Sequence, residues 1–284
     1  MTSEILNPEN WFLILLGLVW IIGAVLQDLR RREVDNLWNF SLIAIALVYR
    51  ASVSVFSGDY WFIFNGIIGL GIFFIIGNIF YYSRMFAGGD AKLLMALGTI
   101  LPLSYNWVIN FKIFGLFILL FLIFGSFYSL IYALFLMIFN FRRFKKEFVK
   151  QFSDYRKMFF IALIFVGVWI VLMIVLDFLI FSWIGLVILL FPILFVFAKS
   201  VEEICLVKEV NYDKITIGDW LYKDVSIRGK LIKSNWEGLS KKELELIIKN
   251  KKKVFIKYGI PFTPSFLFRL SGFIYLIYRF GWMF

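Results

Sequence analysis

Apolar residues run through this chain of 284 in blocks of about twenty, separated by short polar breaks. A helix needs about 20 apolar residues to cross the ~30 Å hydrocarbon core of a bilayer, so the blocks read as membrane spans. The first covers residues 11–26 and the second 37–55, with the polar loop 28–36 between them. No basic n-region or small-residue cleavage site precedes the first block, which reads as a retained span. A turn at 57–60 leads into the third span, Trp61–Tyr82, along which Gly66, Gly69, Gly71 and Gly77 recur at spacings that let helices approach closely. The fourth segment, 91–103, is short and contains Pro102, and the fifth covers 111–139. Residues 158–198 carry a single charge, Asp177, over 41 positions. As one helix they would be about 60 Å long, twice the core, which predicts two spans joined by a tight turn near Asp177.

From 199 to 258 the pattern changes, with 14 Lys or Arg and 9 Asp or Glu in 60 residues. Short β-branched runs at 204–207 and 215–217 predict strands. Ser240-Lys-Lys-Glu243 ahead of Leu244, Leu246, Ile247 and Ile248 predicts a capping box opening a short helix. A last apolar block, 262–284, predicts a final span, in which Arg269 is expected to snorkel to the interface or pair inside the bundle. The expected architecture is an all-α polytopic membrane protein of about eight transmembrane helices, with a small cytosolic α+β insert near the C-terminus. Residues 1–110 form a catalytic core of spans 1–4. Residues 111–198 hold spans 5–7 with a basic loop at 140–157. The insert is 199–258, and 259–284 is the final helix.

Composition supports that class. The chain is 62% hydrophobic and 17% charged with a mean hydropathy of +0.86, far from the quarter charged of a soluble domain. Its net charge of +11 raises nucleic acid as a partner. The basic residues fall between spans, however, where they orient the protein and meet membrane lipid, so no nucleic acid is expected. Arg30, Arg31 and Arg32 sit in one loop, and Arg142, Arg143, Lys145, Lys146 and Lys150 in another. The positive-inside bias puts both loops in the cytosol only if the fourth segment crosses. That places the N-terminus outside, in a multi-pass protein of the cell membrane. One cysteine and no histidine leave no disulfide framework and no cysteine-clustered zinc site, so neither metal nor cofactor is expected.

The chemistry then falls to carboxylates. Asp90 follows Gly88 and Gly89 at the mouth of an apolar helix, and Asp28 closes the first span. A carboxylate at the edge of hydrocarbon is costly and defaults to a functional role. In the crossing count both aspartates come to the same, cytosolic, face. Side by side, two carboxyls share one proton: the ionised member takes a proton from water and the protonated one polarises a scissile carbonyl. Gly88 and Gly89 would permit close approach or positive φ. The alternative for Gly88-Gly89-Asp90 is a helix start with Asp90 as N-cap. Asp35 is a local rival to Asp28, and Asp177 reads as a solvated turn residue.

Asp28-Leu-Arg-Arg-Arg-Glu-Val-Asp-Asn36, followed after the third span by Gly88-Gly-Asp-Ala-Lys-Leu-Leu94, resembles the prepilin peptidase family, in particular archaeal preflagellin and prepilin peptidases of the Gly-x-Gly-Asp aspartyl protease type. Trp236-Glu-Gly-Leu-Ser240 and Gly259-Ile-Pro-Phe-Thr-Pro264 resemble the tail of longer archaeal members. The resemblance implies catalytic roles for Asp28 and Asp90, with Gly88, Gly89, Lys92 and Asn36 in support. It implies precursor archaellins or type IV pilins as substrates, each with a basic residue and glycine before an apolar helix. Glu33 and Asp35 are candidates to receive that basic residue, and Lys92 either stabilises charge at the pair or reaches the interface. Two positions depart from the pattern: Ala87 stands where the motif has Gly, and Asp35 where many members have Pro. A proton-coupled transporter is the alternative class, with carboxylates relaying protons. A noncatalytic membrane scaffold, binding partners through the 199–258 insert, is a third.

Overall fold

Asn7 opens the first long helix: its side chain accepts from the amide of Asn10, and Pro8 occupies the first helical position, where no amide is needed. In this computed structural model, which describes residue 5, residues 7–227 and residues 229–280, that helix is α1, Pro8–Arg31. It ends where Arg32 turns left-handed and returns its amide to the carbonyl of Asp28. Then follow α2 (Asn36–Ser57), α3 (Trp61–Tyr82), α4 (Gly88–Leu97), α5 (Trp107–Phe139), α6 (Phe141–Asp154), α7 (Arg156–Val175) and α8 (Trp183–Val201). A π-helical turn, Glu202–Leu206, continues α8 into strand β1 (Val207–Val210). The remainder is β2 (Trp220–Leu221), β3 (Val225–Ile227), β4 (Lys230–Ile232), α9 (Lys241–Lys249), β5 (Val254–Lys257) and α10 (Pro264–Phe280).

Among the described residues six helices are long and apolar enough to cross a membrane: α1, α2, α3, α5, α7 and α8 with its π turn. This is a mostly helical, multi-pass membrane protein. Two of the eight expected spans are shorter: α4 has 10 residues and α10 has 17. The last four positions expected in the final span, 281–284, lie outside the described residues.

The chain divides into two compact units, 1–130 with 261–284, and 131–260. In the first, the fourth segment runs the length of α1 by unusual means. Gly89 lies beside Val34, past the Asp28 end of α1, while the carbonyl of Leu103 accepts from Asn10 near the other end. Between them α4 stops at Leu97, and 98–106 run as irregular backbone along α3. A Cβ on Gly69 would stand 2.3 Å from the carbonyl oxygen of Gly98 and 2.4 Å from Pro102, so only glycine allows that approach. Irregular backbone is tolerated at membrane depth only when protein satisfies it. Here Arg50, a charge in the middle of α2, donates to the carbonyls of Phe62 (2.9 Å), Thr99 (2.8 Å), Ile100 (3.1 Å) and Pro102 (2.7 Å). Asn110 accepts from the amides of Leu103 and Ser104 and donates to the carbonyl of Ser104.

In the second unit α7 and α8 form the expected helical pair, joined by a turn in which Asp177 is exposed and left-handed (φ 57°). The insert holds an antiparallel sheet in the order β1-β5-β2 and a hairpin β3-β4. These pack with α9 around Leu221, Ile232, Ile247 and Ile256. The predicted capping box is present, with Ser240 and Glu243 bonded reciprocally. The predicted strands are displaced. Residues 204–206 finish a helix, and 215–217 are a loop in which Ile215 is a core residue. Short β-branched runs do not distinguish a strand from the buried tail of a helix, and helical continuation won at 204–206.

Candidate active site

The buried face of α1 runs through Ile14, Gly17, Ile21, Ala24 and Asp28, steps of three and four that put the aspartate in phase with the core. Asp28 is 7% exposed, although Arg30, Arg31 and Arg32 beside it are solvated. In α4 the same spacing links Asp90 to Leu93, Leu94 and Leu97, and Asp90 is 8% exposed. Ala87 is the N-cap, which makes Asp90 the third helical residue rather than the cap itself. From there its carboxyl receives the amide of Ala87, the acid half of a capping box. Phe86 fixes the loop before the glycines, stacked on Phe80 at 4.8 Å and edge-on to Phe121 at 4.7 Å.

The two carboxyls make one candidate site: the charge of Asp28 acts on Asp90 within the same unit. A third residue completes it. Thr263, from the segment leading into α10, donates its amide (3.1 Å) and its hydroxyl (2.8 Å) to Oδ2 of Asp28. Both partners are buried. An ionised carboxylate is acceptor-only, and two donors on one oxygen suit that form. Behind this site Arg269 is fully buried in α10, and the charge of Asp90 acts on it. It does not snorkel.

The other expected residues fall differently. Lys92 donates to Oδ1 of Asn36 at 2.6 Å on an exposed edge, tying α4 to the start of α2. The carbonyl of Gly89 accepts from Asn39. Neither Gly88 nor Gly89 has positive φ, because both are already helical. A Cβ would meet only Tyr81 at 3.8 Å from Gly88 and Val34 at 3.5 Å from Gly89, so packing does not demand glycine at either. Asp35 is solvated, 3.9 Å from Arg31, and Glu33 is exposed. Among the described residues no group of three or more His, Cys, Asp or Glu gathers as metal ligands.

Sequence reasoning missed Thr263 and Arg50. For Arg50 a signal existed: a lone charge in an apolar span must find partners. For Thr263 the only pointer was the resemblance of the stretch around it, 235 residues from Asp28.

The fold and site define a polytopic membrane protein with two buried aspartates at the ends of neighbouring helices. Residues 15–141 match the model of the Type IV leader peptidase family. The chain is similar to the preflagellin peptidase of Methanocaldococcus jannaschii, 30% identical over 96 residues, which are 34% of this chain and 40% of the relative. It is similar to that of Methanococcus maripaludis, 35% identical over 89 residues (31% and 38%). The preflagellin peptidase of Methanococcus voltae is 31% identical over 87 residues (31% and 37%). The chain thus spans about two fifths of the length of these relatives. No solved structure matches it.

Proposed function

We propose that the chain is a membrane-embedded aspartyl endopeptidase that removes the short leader of archaellin or type IV pilin-like precursors. The observation that carries the reading is the pair itself: Asp28 and Asp90 are both buried, with Asp90 within reach of the charge of Asp28, in the stretch that matches the leader peptidases. Two such carboxyls do not both ionise cheaply, so they hold one proton between them.

Thr263 supports a division of labour between the two carboxyls. Its two donors hold Asp28 as the carboxylate that takes a proton from the attacking water. Asp90 carries the shared proton, polarises the scissile carbonyl with it, and passes it to the leaving amine. The hydrolysis balances without a covalent intermediate: water's oxygen bonds to the carbonyl carbon, the C–N bond breaks, the amine takes the proton of Asp90, one proton of water stays with the new carboxyl, and the other remains on Asp28, so the pair again holds one proton. Gly88 and Gly89 leave the approach to Asp90 free of side chains, which suits an extended substrate backbone.

The basic clusters at 30–32 and 142–150 orient the site to the cytosol, with the N-terminus outside. There the site would meet a precursor at the polar edge of its membrane-inserted helix. Membranes carrying the chain, mixed with a precursor archaellin or pilin, should release the leader, and mass spectrometry should put the cut just ahead of the apolar helix. A precursor left intact over hours would contradict the proposal.

A further inference from the structure

The first unit buries two arginines completely, Arg50 and Arg269. Arg50 is accounted for by its four backbone carbonyls. Arg269 is not. Its guanidinium carbon lies 4.1 Å, 4.3 Å and 4.1 Å from the ring centroids of Phe117, Phe121 and Phe266. Its Nε, Nη1 and Nη2 have no hydrogen-bond partner among the described residues. A guanidinium keeps its proton in proteins, and an unpaired buried charge is costly even with aromatic faces around it. Packing alone gives no reason for the charge, since a methionine would fill a cage of three phenylalanines.

The charged groups around this cage are few. The carboxyl whose charge acts on Arg269 is Asp90 of α4, and Asp28 of α1 acts in turn on Asp90. From α5 the cage receives only rings, Lys112 being exposed, and the other charge on α10, Arg279, is exposed in the last turn. Two carboxyls sharing one proton carry a single negative charge, and one guanidinium cancels it. The buried site is then neutral as a whole, the condition under which apolar surroundings cost least.

We infer that Arg269 is a positioning residue for the aspartate pair, a fixed positive charge behind Asp90 that holds the pair at one shared proton without touching the reacting atoms. The inference rests on the proteolytic reading of the site. Without that charge the pair takes up its second proton at higher pH, and a doubly protonated pair has no base to activate water.

The test is precursor cleavage as a function of pH by the wild type, Arg269→Met and Arg269→Lys, after gel filtration and a thermal scan of each. The acid limb of kcat for Arg269→Met should move up by about one pH unit or more, with KM unchanged. Arg269→Lys, which keeps the charge, should stay near the wild-type limb. An infrared carboxylic-acid band, assigned by its loss in Asp90→Asn, should persist to higher pH in Arg269→Met than in the wild type whether or not substrate is cut. Arg269→Gln carries the same comparison if the Met variant does not assemble. A neutral variant with the wild-type limb and band, or a Lys variant displaced as far as the neutral one, would overturn the inference. So would failure of every variant to assemble, which would make Arg269 structural. A wild type that cuts at no pH defeats instead the proteolytic reading, and leaves the infrared comparison to judge Arg269.

Discussion

Thr263 gives both its amide and its hydroxyl to the same oxygen of Asp28, across 235 residues of sequence. The bond ties the last helix of the chain to the last turn of the first. It makes α10 part of the candidate site, although the family match ends at residue 141.

Thr263→Val keeps the shape and the amide bond but removes the hydroxyl. A hydrogen bond to a charged group contributes about 1.5–3 kcal/mol, so cleavage should fall roughly 10- to 100-fold. Thr263→Ser should retain most activity. Steady-state kinetics on the two variants check this, and an unimpaired Thr263→Val would contradict the role given to the hydroxyl.

Arg50 should be a stability residue with no close substitute. Arg50→Met strands four buried carbonyls, each costing about 1–3 kcal/mol when unsatisfied. Arg50→Lys offers one ammonium where a planar fork reached four acceptors. Both variants should lose several kcal/mol, read as a lowered thermal midpoint in detergent. A wild-type midpoint in either would show that the break after α4 is held by something else.

The glycines of α3 should divide sharply. Gly69→Ala drives a Cβ into the Gly98 carbonyl oxygen at 2.3 Å and should cost about 1–3 kcal/mol. Gly71→Ala meets nothing within 4 Å and should be neutral or slightly stabilising. Thermal scans of the pair check this directly.

Gly89→Ala should keep the fold, since its Cβ makes only ordinary contacts and alanine favours helix by about 1 kcal/mol. If substrate backbone passes over this residue, cleavage should drop tenfold or more while the thermal midpoint holds. Equal activity would remove Gly89 from the substrate path.

The spans were legible from the length of their apolar blocks, and both aspartates as carboxylates standing at the ends of apolar segments. Asp28 falls in phase with Ile21 and Ala24, and Asp90 with Leu94 and Leu97, but spacing alone does not set aside the solvated Asp35, which stands four and seven residues before the buried Asn39 and Leu42 of α2. The reach of the fourth segment along the first span was legible from loop charge. Its construction was not, because a ten-residue helix finished by irregular chain works only if distant side chains satisfy the backbone. Those side chains, Arg50 as donor and Asn110 as acceptor, carry no local signature of what they bind. Thr263 was hidden for the same reason: a threonine before proline reads locally as a turn, and its partner is set by tertiary packing. The strands of the insert failed for another reason, since runs of three or four β-branched residues fit a helix tail as well as a strand.

The most direct test of the aspartate pair is precursor cleavage by membranes carrying the wild type, Asp28→Asn and Asp90→Asn, with exposed Asp35→Asn and Asp177→Asn as controls. Asparagine keeps the shape and removes the titrating proton. Loss of cleavage in each of the first two, with both controls still cutting, is the predicted result. Undiminished cleavage by either Asp28→Asn or Asp90→Asn would contradict the aspartyl mechanism as assigned.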